Sequence, residues 1–249
     1  MSDPSRQWKV RVVIPALNEE DSIGQVIDAL PRESIASIHV ADNGSTDRTA
    51  EIASARGARV VREERRGYGS ACLAALDDVK SVLGPHADEI VVFLDGDFSD
   101  DPGGLPQLIQ PLLDEEADLV LGNRAHAGID RGALTPQQRF GNRLATTLIR
   151  WIHGVHYQDL GPFRALHWET LTGMKMQDPD FGWTVEMQLK AARQQLRIQE
   201  IDLPYRPRIG TSKISGTLKG SIQAGLKIMS LILRDGWTGS RNHHQSRAH

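Results

Sequence analysis

Glu89-Ile90-Val91-Val92-Phe93-Leu94-Asp95-Gly96-Asp97 is an apolar run that ends abruptly in two aspartates, with Phe98-Ser99-Asp100-Asp101-Pro102 behind it. Apolar residues without polar alternation predict a strand buried on both faces, as in a parallel sheet covered by helices. Carboxylates two positions apart at the end of such a strand meet water at the carboxyl edge of the sheet, where open α/β folds bind ligands. Burial gains nothing from them there, whereas a divalent cation with oxygen ligands does. Asp100 and Asp101 also suit capping of a following helix, a role that leaves Asp95 unexplained.

Working outward, residues 9–14 form an apolar strand stopped by Pro15, and Ile23, Val26, Ile27 and Leu30 line one side of a helix over 21–30. Strand and helix patterns then alternate: strand 35–41, helix 47–56, strand 59–62, helix 70–83, strand 90–94, helix 105–115, strand 117–121. This order predicts a mostly parallel central sheet flanked by helices. The second half is less regular. Phe140, Leu144, Leu148 and Ile152 recur every four residues on a helix over 137–153, with Arg139, Arg143 and Arg150 elsewhere on its surface. Strand 159–166, helix 183–194, strand 197–203, a Gly-, Ser- and Lys-rich loop at 207–216 and a helix over 217–234 complete the expected series. The polar tail 236–249, with His243 and His244, is expected to be disordered.

A chain of 249 residues fits one elaborated domain. We expect it to span residues 1–235. A net charge of -3 gives no general attraction to polyanions, so nucleic acid is not an expected partner. Cys72 is the only cysteine, which excludes an internal disulfide and a cysteine-based zinc cluster, and fits a reduced, cytoplasmic setting. Met1 to Trp8 lacks the apolar core of a secretory leader, and no apolar run approaches the roughly 20 residues that span a bilayer.

Two further polar segments lie at expected strand ends. They are Pro15-Ala16-Leu17-Asn18-Glu19-Glu20 and Asp42-Asn43-Gly44-Ser45-Thr46-Asp47, whose side chains converge on one crevice and can accept hydrogen bonds from a base and from ribose hydroxyls. Asn43-Gly44 also suits a plain turn, and Ser45 or Thr46 a helix cap. Arg65-Arg66-Gly67-Tyr68-Gly69-Ser70-Ala71, ahead of a helix, suits close approach to phosphate or base, or simply a connection. It matches neither the phosphate loop of nucleotide hydrolases nor the glycine fingerprint of dinucleotide dehydrogenases.

Together, Val12 to Glu20, Asp42 to Asp47 and Asp95-Gly96-Asp97 resemble a family 2 glycosyltransferase with the GT-A fold. Gly122-Asn123-Arg124, Asp159-Leu160-Gly161-Pro162-Phe163-Arg164, Val185-Glu186-Met187 and Thr211-Ser212-Lys213-Ile214 narrow the likeness to dolichyl-phosphate mannosyltransferase and related polyprenyl-phosphate glycosyltransferases. The resemblance implies a nucleotide-sugar half at about 9–122 and an acceptor half at about 123–235. It implies that Pro15, Ala16, Glu19 and Asp42 hold the base and ribose, with Asn18, Asn43, Gly67 and Gly96 lining the donor crevice. Asp95 contacts ribose or metal, and Asp97 binds Mg2+ or Mn2+ on the diphosphate. Arg124, Arg208 and Lys213 meet phosphates. Arg164 is a further candidate for the acceptor phosphate or else pairs with Asp159 to shape the acceptor loop, and Glu186 is read as orienting a donor-sugar hydroxyl or a phosphate-binding arginine. Relatives often carry Gln where this chain has Ser99, which leaves the third metal ligand open between Asp100 and a water.

The implied reaction is inverting transfer of a sugar, GDP-mannose or UDP-glucose in type, to a polyprenyl phosphate. An anionic phosphate oxygen needs no strong general base, whereas a soluble or glycan acceptor would make Asp159 or Glu186 indispensable as one. A nucleotide-sugar-binding subunit without catalysis is the third alternative. Residues 207–216 are expected to form a lid hinged at Gly210 and Gly216. The apolar stripe of the final helix (Leu218, Ile222, Leu226, Met229, Leu233, broadened by Ile228, Leu231 and Ile232) fits either packing on the protein body or peripheral contact with a membrane or a membrane-bound partner.

Overall fold

The computed structural model describes residues 8–83, 88–126, 133–210, 225 and 227–234. Its apolar runs become the strands β1 (Lys9–Ala16), β2 (Ser37–Asp42), β3 (Arg59–Arg62), β4 (Glu89–Phe93), β5 (Leu119–Asn123), β6 (Arg164–His167) and β7 (Ile198–Asp202). They form one sheet in the order β3-β2-β1-β4-β6-β5-β7, parallel throughout except for β6. Strand alternation sends Val12, Ile14, Ile90 and Val92 to one face, against α1 (Ile23–Ala29) and α4 (Leu105–Leu113). Val13, Val91 and Phe93 go to the other, against α3 (Tyr68–Ser81), α5 (Pro136–His153), α6 (Trp168–Met174) and α7 (Trp183–Arg193). Covering both faces explains runs with no polar alternation, and each buried aliphatic side chain contributes about 1.5–3 kcal/mol. α2 (Thr49–Ala55) lies beside α1.

Several local expectations change. Pro15 does not stop β1, which runs on to Ala16 with Pro15 opposite Ala41. Successive residues of a strand face opposite neighbours, and the Ala16 carbonyl accepts from Asn43 N on the β2 side while the Val13 carbonyl accepts from Leu94 N on the β4 side. Pro15 therefore turns its missing N–H toward β4, whose pairing with β1 already ends at Val13. The strand expected over 159–166 begins only at Arg164, because Asp159 to Phe163 loop around hydrogen bonds described below. It also runs antiparallel between β4 and β5 and hands over directly to α6, which periodicity did not reveal.

α5 starts at a full capping box, Thr135 with Gln138, has Pro136 in its first turn, and stops at Gly154 with φ 72°. Its buried residues are Ala145, Thr146 and Ile149, while Phe140 and Leu144 of the expected apolar stripe stand in solvent. Of the terminal helix, residues 225 and 227–234 are described. Ile232 is buried, and Ile228 and Leu231 pack on the same cluster, so this part of the stripe is spent on the protein body. Lys213, Gly216 and the tail lie outside the described residues.

At the amino edge of the sheet, Ser37 Oγ, His39 and Asp78 stand in line at 2.6 and 2.7 Å, the order of a hydrolytic triad. Arg11 donates to Ser37 Oγ and pairs with Glu89, and Arg59 pairs with Asp78. Every member of the line is thus occupied by a neighbour, and burial holds His39 below its ordinary pKa. The cluster ties β1, β2, β3, β4 and α3 together.

Candidate active site

The carboxyl ends of β1, β2 and β4 open on one crevice, built by reciprocal bonds between the loops that follow them. Asn18, with φ 52°, accepts from Thr46 N at 2.8 Å, while its own N–H donates to Ser45 Oγ at 2.9 Å. Glu19 N donates to Thr49 Oγ1 at 2.8 Å, and Asp42 Oδ1 accepts from Ser45 N at 2.9 Å. Asn43 accepts from Gly67 N and donates to the carbonyls of Glu63 and Arg65, so its amide is spent on shaping the loop ahead of α3. Pro15 and Ala16 are buried at the end of β1, and Leu17 and Asn18 are the first to reach solvent. Gly96 is buried too, its carbonyl accepting from Ser22 Oγ at 2.8 Å.

The glycines at 67 and 69 have a steric reason of their own. Gly67 sits at φ 142°, and a Cβ on either residue would overlap the main chain of Asp178 or Pro179. Ser70 N donates to the Pro179 carbonyl at 2.8 Å, so this loop and the one before α7 close on each other.

Asp95 and Asp97 are arranged oppositely. Tyr68 donates its phenol to Asp95 Oδ1 at 2.9 Å. Ser99 donates both its N–H and its hydroxyl to Asp97 Oδ1, at 3.0 and 2.6 Å. Ser99 thus orients the aspartate. Arg208 donates to Glu19 Oε1 at 2.8 Å and lies 3.4 Å from Asp97 Oδ2, bridging the loop after β1 to the aspartate pair. Burial first, and Asp97 second, push the Asp95 carboxyl up to about 7. Burial, with Asp95 and Asp97 adding to it, also holds the neighbouring Asp100 well above the usual carboxylate range against the pull of Arg124.

A divalent cation fits this pair. No group of three or more His, Cys, Asp and Glu able to hold a metal occurs among the described residues, so a cation here would complete its shell with water and substrate oxygens, as Mg2+ commonly does. Asp95 Oδ1 and Asp97 Oδ1 are occupied by Tyr68 and Ser99, which orients the other oxygen of each carboxylate, and the guanidinium near Asp97 Oδ2 marks where positive charge is favoured.

Just past the carboxyl end of β5, Arg124 is gripped by Asp159. Its backbone N–H and Nε donate to Asp159 Oδ2 at 2.9 and 2.7 Å, NH2 donates to Oδ1 at 3.1 Å, and the guanidinium lies 5.1 Å from the Tyr205 ring centre. Burial alone would raise Asp159, but Arg124 overrides it and holds the carboxyl below its usual range. Arg164 is fully buried and donates to the carbonyls of Thr184, Leu160 and Gly161, which sets the loop before β6; burial lowers its pKa. Glu186 accepts from Gln177 N and Asp178 N and pairs with Lys190, fixing the loop that meets Gly67. Beyond Arg124 opens a cavity of about 700 Å³ whose basic lining is Arg124, Arg139, Arg143, Arg150, His126 and His156.

A family model described as glycosyl transferase family 2 matches residues 11–173, more than half of the chain. The chain belongs to glycosyl transferase family 2. An uncharacterized glycosyltransferase of Mycobacterium tuberculosis is 39% identical over 225 residues, covering 90% of this chain and 97% of the relative. A dolichyl-phosphate hexose transferase of Haloferax volcanii is 33% identical over 230 residues, covering 90% and 94%. Crystal structures of glucosyl-3-phosphoglycerate synthase from Mycobacterium tuberculosis are similar at a TM-score of 0.69. One, with Mn2+, UDP and glucosyl-3-phosphoglycerate, is 24% identical and covers 91% of this chain and 79% of that one. Another, with Mg2+ and UDP, is 26% identical with the same coverage. The expected GT-A fold is therefore the fold of this family 2 glycosyltransferase.

Three residues that sequence reasoning did not place in roles join the crevice: Tyr68, Ser22 and Tyr205. Tyr68 stood in the glycine loop read for its glycines and arginines, and a phenol between two glycines was the available signal. One prediction follows from Asp95. Its folded-state pKa of about 7 lies above the ordinary carboxylate value of 3.8, so the folded state binds the proton more tightly than the unfolded chain, and stability is lost as pH rises across that window. Asp95→Asn, measured by denaturant unfolding in the presence of a chelator, is expected to be more stable than the parent at pH 8, with the advantage shrinking toward pH 5. An advantage independent of pH would contradict this placement.

Proposed function

We propose that this family 2 glycosyltransferase is an inverting, divalent-cation-dependent enzyme that moves a sugar from a nucleoside-diphosphate donor to a polyprenyl phosphate. The observation that carries the acceptor is the cavity beside Arg124, where Arg139, Arg143 and Arg150 line one wall. Guanidinium groups bind phosphate oxygens in bidentate fashion, and a cavity lined by four of them favours a phosphate-bearing acceptor over a neutral glycan. The hexose transferase of Haloferax, named for dolichyl phosphate, supports the lipid form.

Asp159 and Glu186, the two carboxylates that could have served as bases, are committed to Arg124 and to backbone N–H groups with Lys190. An acceptor that arrives as an anion needs neither. Asp42 and Glu19 line the donor side, Asp95 and Asp97 hold Mg2+ or Mn2+, and Arg208 and Lys213 meet the diphosphate. A bound cation neutralises charge on the departing diphosphate, a Lewis-acid effect of several kcal/mol. Arg124, with Asp159 behind it, turns the acceptor phosphate toward the sugar. The second reading is a small soluble acceptor carrying a phosphate. It is favoured by the same arginines and by the synthase bound to phosphoglyceric acid.

Incubation with a panel of labelled nucleotide sugars, polyprenyl phosphate and Mg2+ or Mn2+, followed by organic extraction, tests the first reading. Label is expected in the lipid phase with one donor and lost with a chelator. Label that enters no lipid with any donor, but does enter phosphoglyceric acid in a parallel incubation with that acceptor, replaces the first reading by the second.

A further inference from the structure

α5 carries three arginine–apolar dipeptides, Arg139-Phe140, Arg143-Leu144 and Arg150-Trp151. Both members repeat at spacings of four and seven, so the arginines form one row along the helix and the apolar side chains an adjacent row. Burial of Ala145, Thr146 and Ile149 turns both rows outward. Phe140 is 71% exposed, Trp151 80% and Leu144 38%; among the described residues, Leu233 is the other large apolar side chain so exposed. Residues 136–153 contain no Asp or Glu. Exposed aromatic rings grouped on one face mark an interaction surface rather than ordinary surface scatter.

We propose that this face of α5 lies on a membrane surface rich in anionic lipid, an inference that rests on the polyprenyl-phosphate reading and locates the enzyme for it. Phe140, Leu144 and Trp151 enter the boundary between headgroups and acyl chains, and Arg139, Arg143 and Arg150 extend to lipid phosphates. Two features favour a membrane over a second copy of the chain. A twofold contact between antiparallel α5 helices would bring two arginine rows to the same side, whereas an anionic leaflet complements them. The same three arginines also line the cavity beside Arg124, so an acceptor phosphate can enter the cavity while its polyprenyl chain stays in the leaflet. The terminal helix, which packs Ile228, Leu231 and Ile232 on the core and leaves Leu233 exposed, is not the anchor in this arrangement.

The test uses the full chain and vesicles without polyprenyl phosphate, so it can fail or succeed independently of the acceptor. The protein is expected to cosediment with phosphatidylcholine vesicles containing phosphatidylglycerol, much less with phosphatidylcholine alone, and less as salt is raised. A Phe140→Ser/Trp151→Ser double variant is expected to lose binding at least tenfold. Both side chains are exposed, so its melting temperature should match that of the parent, as should its transfer to a detergent-solubilised acceptor. Equal cosedimentation of the double variant, or no binding by the parent, overturns the proposal. So does a concentration-dependent dimer of the parent that the double variant abolishes, which would assign the face to a second copy. Vesicle binding that succeeds while no sugar enters lipid would leave the surface standing and remove the acceptor.

Discussion

Asp97→Asn is expected to lower turnover by about a thousandfold or more while leaving the fold intact. An amide is a poor ligand for a divalent cation where a carboxylate is required, and losing about 4 kcal/mol of charge stabilisation on the leaving diphosphate corresponds to that factor. Folding should tolerate the change, because the bonds from Ser99 N and Ser99 Oγ end on Asp97 Oδ1, which an amide oxygen replaces. The ion pair with Arg208, at 3.4 Å, is the local loss. The decisive measurement combines kcat at saturating donor with Mn2+ affinity read by electron paramagnetic resonance. A variant that keeps a tenth of parental turnover, or binds Mn2+ as the parent does, would remove Asp97 from the metal site.

The largest effect on stability is expected from Asp159→Ala. The Asp159 side chain is 1% exposed and serves the Arg124 guanidinium, Arg124 N and Leu160 N at once. Removing one partner of a buried pair leaves the other charge uncompensated, at a cost of about 3–5 kcal/mol. Asp159→Asn keeps acceptors for the N–H groups and should lose less. The folded state holds the Asp159 carboxyl below its ordinary value, so its contribution is present above the unfolded pKa and fades as pH falls through the folded one. The deficit of Asp159→Ala should therefore be largest near neutrality and shrink in acid. A parental unfolding midpoint at pH 7 would show that Arg124 does not depend on this partner.

The first half of the fold was legible because β1, β2 and β4 are covered on both faces, and their apolar runs end where the crevice begins. Asp42 and Asp95 could be placed at strand ends for that reason. β6 could not. Its position between β4 and β5 is set by pairings such as Ile90 with His167, 77 residues apart, which no local pattern encodes. α5 was legible as a helix but not in its orientation. A four-residue repeat drifts by about 40° per step on a helix of 3.6 residues per turn. Phe140 and Leu144 thus swing outward while Leu148 and Ile152 stay against the body. In the site, carboxylates at strand ends announce themselves, whereas their partners do not. Neither the grip of Asp159 on Arg124 nor that of Ser99 on Asp97 follows from residue type, because each depends on which loops meet.

Arg208 spans Glu19 and Asp97 with one guanidinium. The resting crevice therefore carries its own tethered counterion. If Asp97 holds the metal as proposed, loading the crevice would be an exchange of cations rather than an addition: a bare divalent ion would have to evict the guanidinium into solvent, whereas an ion arriving on a nucleoside diphosphate would bring an anion to which Arg208 could transfer. Such a site would favour the metal–nucleotide complex over either component alone. It would give the catalytic cycle an order of arrival written into a single side chain.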